Sequence, residues 1–255
     1  MTAGTLDDLL AAARSRARAL HPSPPATPST RASFAAALRG RDRLAVIAEF
    51  KRASPTEGGI APHADIMTQV RRYAAAGAAA ISVLTEPTRF GGGIDDLTAA
   101  AEAVDLPLLL KDFVVDPRQV AQACAHGASA CLLIVRCLEP SRLHELVHAC
   151  RDLALTPVIE CHSAAELEMA VTATRDVPDA VIGINNRDLD NLRVDVSRAP
   201  ALLRHVPTSR VAVAESGYAT PAATATVRGR ADAVLIGTGL MRAPDPAAFI
   251  AEVRR

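Results

Sequence analysis

The segment IAEFKRASP places Glu49 and Lys51 two residues apart, at the end of an apolar run that begins at Leu44. Residues two apart on a strand face the same side, so the pair shares one face. Burying an ion pair stabilises a fold little better than apolar residues would, which makes stability a weak reason for these charges and chemistry a stronger one. The pattern recurs along the chain. Lys111 follows LPLLL and stands two before Phe113; Glu160 closes TPVIE; Asn185 and Arg187 close AVIGINNR; Glu215 and Ser216 close RVAVAES. Carboxylates and ammonium groups at the ends of buried runs are the parts of general acid–base catalysis. A positioned ammonium donates a proton and steadies developing negative charge, while a carboxylate removes a proton. Two late turns, ESGYATP with Gly217 and IGTGLM with Gly237 and Thr238, would let backbone N–H groups approach a phosphate. Neither matches a Walker or dinucleotide fingerprint, so position alone gives them weight.

Two other patterns carry less. HELVH, His144 to His148, has the spacing of a zinc motif, but Leu143, Leu146, Val147 and Cys150 around it form the apolar stripe of an amphipathic helix. No third ligand stands nearby, so no metal is assigned. The five cysteines, Cys124, Cys131, Cys137, Cys150 and Cys161, are odd in number and lack CxxC spacing. They read as reduced thiols packed as small apolar side chains.

The charges can act together only if their strands converge. Eight short apolar runs, from LAVIAEF to ADAVLIGT, alternate with helical segments such as ADIMTQVRRYAAAG. Strand–helix alternation implies right-handed βαβ units and a parallel sheet, and eight units over this length predict a single closed (β/α)8 barrel. In that fold the active site lies at the C-terminal strand ends, where the charges fall. Asp116-Pro117, Thr220-Pro221 and Asp245-Pro246 predict helix starts, and Gly77 and Gly127 predict helix ends. Residues 1–42 stand outside the pattern as a helical extension: an amphipathic helix in TLDDLLAAARSRARAL, a Pro-rich link and a short helix in TRASFAAALRG. Leu9, Leu10, Phe34 and Leu38 need apolar cover, so the extension is expected to cap the catalytic mouth of a barrel formed by residues 43–255. Composition limits the partners. Lys plus Arg and Asp plus Glu balance at 28 each, which gives no field for nucleic acid or a membrane surface. No targeting segment and no membrane-spanning apolar run is present, so a cytoplasmic protein is expected.

From the residues alone, several phosphate-binding barrels fit, including an aldolase forming an imine on Lys111, an isomerase, or a noncatalytic ligand-binding barrel. The blocks IAEFKRASP, ISVLTEPTRFGGGIDDL, LLLKDFVVDPRQV, GASACLLIV, VIECHSAAEL, IGINNRDL, VAESG and DAVLIGTGLMRAPDP narrow the choice. In order and over nearly the whole chain they resemble the indole-3-glycerol phosphate synthase family, whose extra N-terminal helix the extension also resembles. The resemblance implies ring closure of 1-(2-carboxyphenylamino)-1-deoxyribulose 5-phosphate with loss of carbon dioxide and water, in tryptophan biosynthesis, by a lyase without metal or organic cofactor. Other enzymes of that pathway are conceivable partners that the sequence does not identify. By the same resemblance Lys111 is the general acid, held charged by Glu49, and Lys51 binds the substrate carboxylate and assists dehydration with Glu160 as base. Asn185, Arg187 and Glu215 complete the catalytic set. Ser54, Ser216, Gly217, Gly237 and Thr238 form the phosphate cradle, and Phe90, Phe113 and Leu132 form the pocket for the anthranilate ring. Thr56-Glu57 stands where many members carry Lys or Arg, RF replaces a common aromatic pair before Gly91, and Thr238 stands where Ser or Glu is frequent. These departures predict weaker phosphate binding rather than loss of chemistry. Two further expectations follow: Met in place of Lys111 should leave the fold intact and slightly more stable, and a side chain at Gly237 should lower affinity first.

Overall fold

The computed structural model describes residues 6–20, 27–39 and 43–255. Residues 21–26 of the Pro-rich link at 21–29 and the boundary expected at 42 lie outside them. Two helices come first, α1 (Leu6–Ala19) and α2 (Phe34–Leu38). Eight strands follow: β1 (Ala45–Phe50), β2 (Ala80–Leu84), β3 (Leu108–Lys111), β4 (Ala130–Ile134), β5 (Thr156–Cys161), β6 (Val181–Asn185), β7 (Val211–Glu215) and β8 (Ala233–Ile236). Each pairs in parallel with the next, and β8 closes onto β1. The helices between and after them are α3 (Ile66–Ala75), α4 (Pro87–Phe90), α5 (Ile94–Ala103), α6 (Pro117–Ala125), α7 (Pro140–Asp152), α8 (Ala164–Ala173), α9 (Arg198–Leu203), α10 (Thr238–Arg242) and α11 (Pro246–Val253). This is the (β/α)8 barrel that the alternation predicts.

Two residue classes build the strands. Val46, Ala48, Phe50, Ile81, Val83, Leu108 and Leu110 point outward and pack beneath the helices, while Ala45, Ile47, Leu109, Leu132, Val158, Val181, Val213 and Leu235 fill the barrel interior. Every strand is buried on both faces, which is why each reads as a continuous apolar run. Side chains alternate, so the inward series of β1 runs Ala45, Ile47, Glu49, and that of β7 runs Val211, Val213, Glu215. The charges are the last members of the inward rows.

The capping chemistry is local. Asp116 accepts the N–H of Arg118 at the start of α6, and Asp245 accepts those of Ala247 and Ala248 at the start of α11. Gly77 and Gly127 take φ of 85° just past α3 and α6, a left-handed conformation that glycine adopts without strain. Thr220-Pro221 opens a 3₁₀ helix, Pro221–Val227, rather than an α-helix. Three of its residues are β-branched, and Thr224 Oγ1 bonds back to the Pro221 carbonyl at 2.7 Å, which favours the tighter turn.

The extension does two jobs. Arg16 of α1 reaches Asp112 at 2.7 Å, just past β3, so α1 lies on the rim of the catalytic mouth as expected. Leu10 and Ala13 are buried there among Phe113, Leu132 and Phe90. Arg39, after α2, bonds Ser209 at 3.2 Å and pairs with Asp179, residues that precede β7 and β6. Phe34, Ala35 and Leu38 are fully buried with Ala45, Val181 and Val211. Helix α2 therefore closes the opposite end of the barrel, where the apolar first residues of the strands would otherwise meet water. Among the described residues no helix is long and apolar enough to cross a membrane.

Candidate active site

A cavity of about 440 Å³ opens at the C-terminal strand ends. Its floor is the last inward side chain of five strands, Glu49 from β1, Lys111 from β3, Glu160 from β5, Asn185 from β6 and Glu215 from β7, with Lys51 just past the end of β1. One wall is apolar, formed by Leu84, Phe90, Phe113, Leu132, Ile134 and Leu189. The opposite rim holds the Ser216-Gly217 and Gly237-Thr238 turns, with Arg187 above β6. The geometry brings every predicted site residue except Ser54 to this one space. Ser54 is buried beside it, and its hydroxyl is used by the N–H of Glu57 at 3.1 Å. It shapes the loop after β1 rather than lining the cavity.

Lys111 is the centre of the charge network. Its Nζ lies 2.9 Å from Glu160 Oε2 and 3.0 Å from Glu215 Oε2. Burial opposes its charge, but Glu160, Glu215 and Glu49 outweigh burial and raise its pKa, so it is an ammonium at neutral pH. The two carboxylates diverge. Burial works against the Glu160 anion, yet Lys111 and His162 overcome it and hold Glu160 well below the usual range. Glu215 is pushed up to about 7 by burial, reinforced by the neighbouring Glu160 charge and only partly offset by Lys111. Its second oxygen has no hydrogen-bond partner and is packed toward Gly183, where a Cβ would come within 2.3 Å. Two neighbouring carboxyls with separated pKa values provide a base and an acid in one site. His162 is raised to about 9: desolvation lowers it, but Glu160 and Glu166 more than compensate. Its Nε2 stands 3.3 Å from Glu160 Oε1, an ion-pair contact without the alignment of a hydrogen bond.

Glu49 does not contact Lys111. It pairs with Lys51 at 3.2 Å and reaches Lys111 only through its field. The orienting contacts that the resemblance gave to Glu49 belong to Glu160 and Glu215. The reason is register: Glu49 lies level with Ser82, on the β1–β2 side, while Glu215 lies level with Asn185 on the far wall that Lys111 crosses the barrel to meet. Asn185 accepts the N–H of Arg187 at 2.9 Å, and Arg187 donates to Leu192 at 2.9 Å, so both brace the loop after β6 as well as lining the cavity.

The rim turns have the shape of an anion cradle. Ser216 and Gly217 take φ of 64° and 89° in succession, and such left-handed residues turn backbone N–H groups to one side. Asn186 enforces this: its amide donates to the Ser216 carbonyl at 3.0 Å and to Tyr218 Oη at 3.2 Å, and its oxygen accepts the Ala199 N–H at 2.8 Å. At Gly237 a Cβ would lie 2.3 Å from Glu49 Oε1 and 2.9 Å from Lys51 Nζ, so the turn touches the Glu49–Lys51 ion pair.

Several working residues escaped the sequence reading. Glu86 is buried and accepts the N–H groups of Thr88, Arg89 and Phe90, fixing the short helix that presents Phe90. Asp112 and Arg16 tie α1 to the mouth, and Asn186, His162, Glu57 and Arg242 support or line it. In the sequence Glu57 stands out solely as a departure from the family pattern. Asn186 sits one residue out of the inward row, so strand parity points away from it. On α7, His144 and His148 meet with their rings tilted by 51° and their Nε2 atoms 3.0 Å apart, and no group of three metal-ligating side chains occurs among the described residues. All five cysteines are free thiols; four are buried and Cys137 is partly so.

Residues 9–253 match the family model of indole-3-glycerol phosphate synthase. The chain is 41% identical over 210 residues to the indole-3-glycerol phosphate synthase of an Exiguobacterium strain, covering 82% of this chain and 81% of that one. It is 44% identical over 243 residues to that of Opitutus terrae, covering 92% of this chain and 87% of its relative. Among solved structures, 3-hexulose-6-phosphate synthase from Salmonella typhimurium superposes with a TM-score of 0.65 at 13% identity, over 82% of this chain and 96% of the other. The tryptophan synthase α subunit of Legionella pneumophila superposes with a TM-score of 0.58 at 14% identity, over 83% and 91%. At such identities the superpositions speak for the barrel alone.

Proposed function

The chain belongs to the indole-3-glycerol phosphate synthase family, and from that premise we propose how the residues of its mouth divide the chemistry. The enzyme is a carboxy-lyase of tryptophan biosynthesis that closes the ring of 1-(2-carboxyphenylamino)-1-deoxyribulose 5-phosphate with release of carbon dioxide and water. The observation that carries the assignment of roles is the placement of Lys111 Nζ between Glu160 and Glu215, at the floor of a cavity with an apolar wall and a glycine-turn rim.

Phe90, Phe113 and Leu132 would bury the anthranilate ring, and the Ser216-Gly217 and Gly237-Thr238 turns would take the phosphate, which spans the substrate across the floor. A bare ketone is a poor electrophile. As the ring carbon bearing the carboxylate attacks, Lys111 gives its proton to the ketone oxygen; a C–C bond forms and the carbonyl π pair takes the proton. Loss of carbon dioxide then returns its bonding pair to the ring and restores aromaticity. Lys51, in reach of Glu49, holds that carboxylate until it leaves. Glu215, titrating at about 7 in contact with Lys111, returns a proton to it. In dehydration Lys51 protonates the departing hydroxyl, and Glu160, kept ionised, takes the proton from the adjacent methylene carbon.

Purified protein given this substrate should release one equivalent of carbon dioxide per indole formed. Lys51→Met should release carbon dioxide ahead of indole, because ring closure precedes dehydration. Equal slowing of both products would remove Lys51 from the second step.

A further inference from the structure

After β1 the chain makes a small hairpin, Ala53–Ser54 against Gly58–Gly59, with Thr56 and Glu57 at its tip. The Ser54 hydroxyl accepts the Glu57 N–H, and this fixes the turn. One Glu57 oxygen accepts the Thr238 hydroxyl at 3.3 Å, and the other lies 2.8 Å from Arg242 Nη2. Thr56 also meets Arg187 Nη1 at 3.5 Å. The loop therefore lays a carboxylate along the rim of the cavity, on donors next to the Gly237-Thr238 turn. A carboxylate and a phosphate are both anions that only accept hydrogen bonds, so they compete for the same hydroxyl and guanidinium. The Glu57–Arg242 pair is also exposed, 28% and 57% at the two side chains, and an exposed pair is weak enough to exchange.

We propose that Glu57 is an internal competitor for the phosphate subsite: substrate binding displaces its carboxylate, and Arg242, set free, becomes an additional phosphate ligand. The proposal rests on the reading of the Ser216-Gly217 and Gly237-Thr238 turns as the phosphate cradle. It makes the hairpin a latch whose opening is coupled to phosphate entry, and it assigns the charge reversal at Glu57 a role in setting affinity. The bland reading is that the pair simply ties the hairpin to α10; in that case removing the Glu57 charge would loosen the rim and bind phosphate no better.

Inorganic phosphate, tested on the full chain as an inhibitor competing with substrate, separates these readings. Glu57→Gln should lower its inhibition constant about fivefold, the upper end of what an exposed ion pair contributes, and lower KM with it. Arg242→Met should raise both by at least as much. On the Arg242→Met background, Glu57→Gln should have much less effect, because the contested cation is gone. If phosphate competes in the parent but Glu57→Gln leaves its inhibition constant unchanged or raises it, the latch is refuted and the cradle stands. If phosphate does not compete in the parent at all, the cradle reading fails and the latch falls with it.

Discussion

Replacing Lys111 by Met tests the centre of the network. Considered as a lone, partly desolvated ammonium, Lys111 is expected to be dispensable to the fold. The structure reverses that expectation, because Lys111 is the cation between Glu160 and Glu215, whose side chains are each 1% exposed. Removing one partner of a buried ionic cluster costs about 3–5 kcal/mol, since the charges left behind stay desolvated. The cost depends on pH. Glu215 is raised to about 7 against an unfolded value of 4.5, so its contribution to stability is present below 4.5 and is lost as pH rises through the folded value. Without Lys111, which lowers it, Glu215 titrates higher still, and the loss extends into the alkaline range. Glu160 also loses the cation that holds it below the usual range, a loss present at every pH above about 4.5, so the variant stands below the parent near pH 6 as well, by less than at pH 8. At pH 8 the deficit should be at least about 6 °C in Tm, at roughly 2–4 °C per kcal/mol for a chain of this size. On the roles proposed above, activity should fall by at least about 10³ in kcat, since the proposed proton donor and oxyanion partner are removed together. Thermal melts at both pH values and steady-state indole formation measure these quantities. Lys111→Met/Glu215→Gln should regain Tm at pH 8 and no activity. A kcat within about tenfold of the parent, or a Tm at pH 8 equal to the parent's, would refute the reasoning.

Glu215→Gln alone should melt above the parent at pH 8 and near it at pH 5, because only the ionised carboxylate is penalised by burial; melts at the two pH values check the sign. Gly237→Ala should lower kcat as well as raise KM, since its Cβ would push apart Glu49 and Lys51, and a misplacement of about 1 Å can cost roughly 10² in rate. The expected loss of affinity is thereby joined by a loss of rate, and steady-state kinetics on the folded variant measure both. Asn186→Asp replaces a donor to the Ser216 carbonyl with an acceptor, so the rim turn should loosen and KM rise with kcat much less affected.

What the sequence reveals here follows from strand parity. A row such as Ala45, Ile47, Glu49, Lys51 has one physical meaning in a strand buried on both faces, so the inward charges could be identified before their partners were known. Pairing is different. Lys111 meets Glu160 and Glu215 across 49 and 104 residues of chain, and nothing local distinguishes those carboxylates from Glu49. The extension illustrates the same limit: Leu10 and Phe34 both require cover, but only the closed barrel shows that one lies at the mouth and the other beneath the opposite end. Residues that act through main-chain groups, Asn186 and Glu86, carry no periodic signal because their targets are set by turn geometry.

The strand-end charges also constrain one another as a set. Glu49, Glu160 and Glu215 contribute three negative charges when ionised, and Lys51 and Lys111 two positive ones, so the five groups sum to −1. With Glu215 protonated, as it is below about 7, they sum to zero. The substrate brings a carboxylate and a phosphate, so each added negative charge at the floor opposes its entry. The proton on Glu215 thus has two possible uses, to resupply Lys111 or to keep the floor from repelling an anion, and the two act on different constants. Repulsion weakens binding, so it would appear as KM rising above pH 7 and would be relieved by added salt. Resupply acts after binding, so it would appear as kcat falling through the same pH with little dependence on salt. The contact at 3.0 Å between Glu215 Oε2 and Lys111 Nζ favours resupply. The expected profile is therefore an alkaline limb in kcat near pH 7 that Glu215→Gln abolishes, and a limb confined to KM would reassign the proton to electrostatics alone.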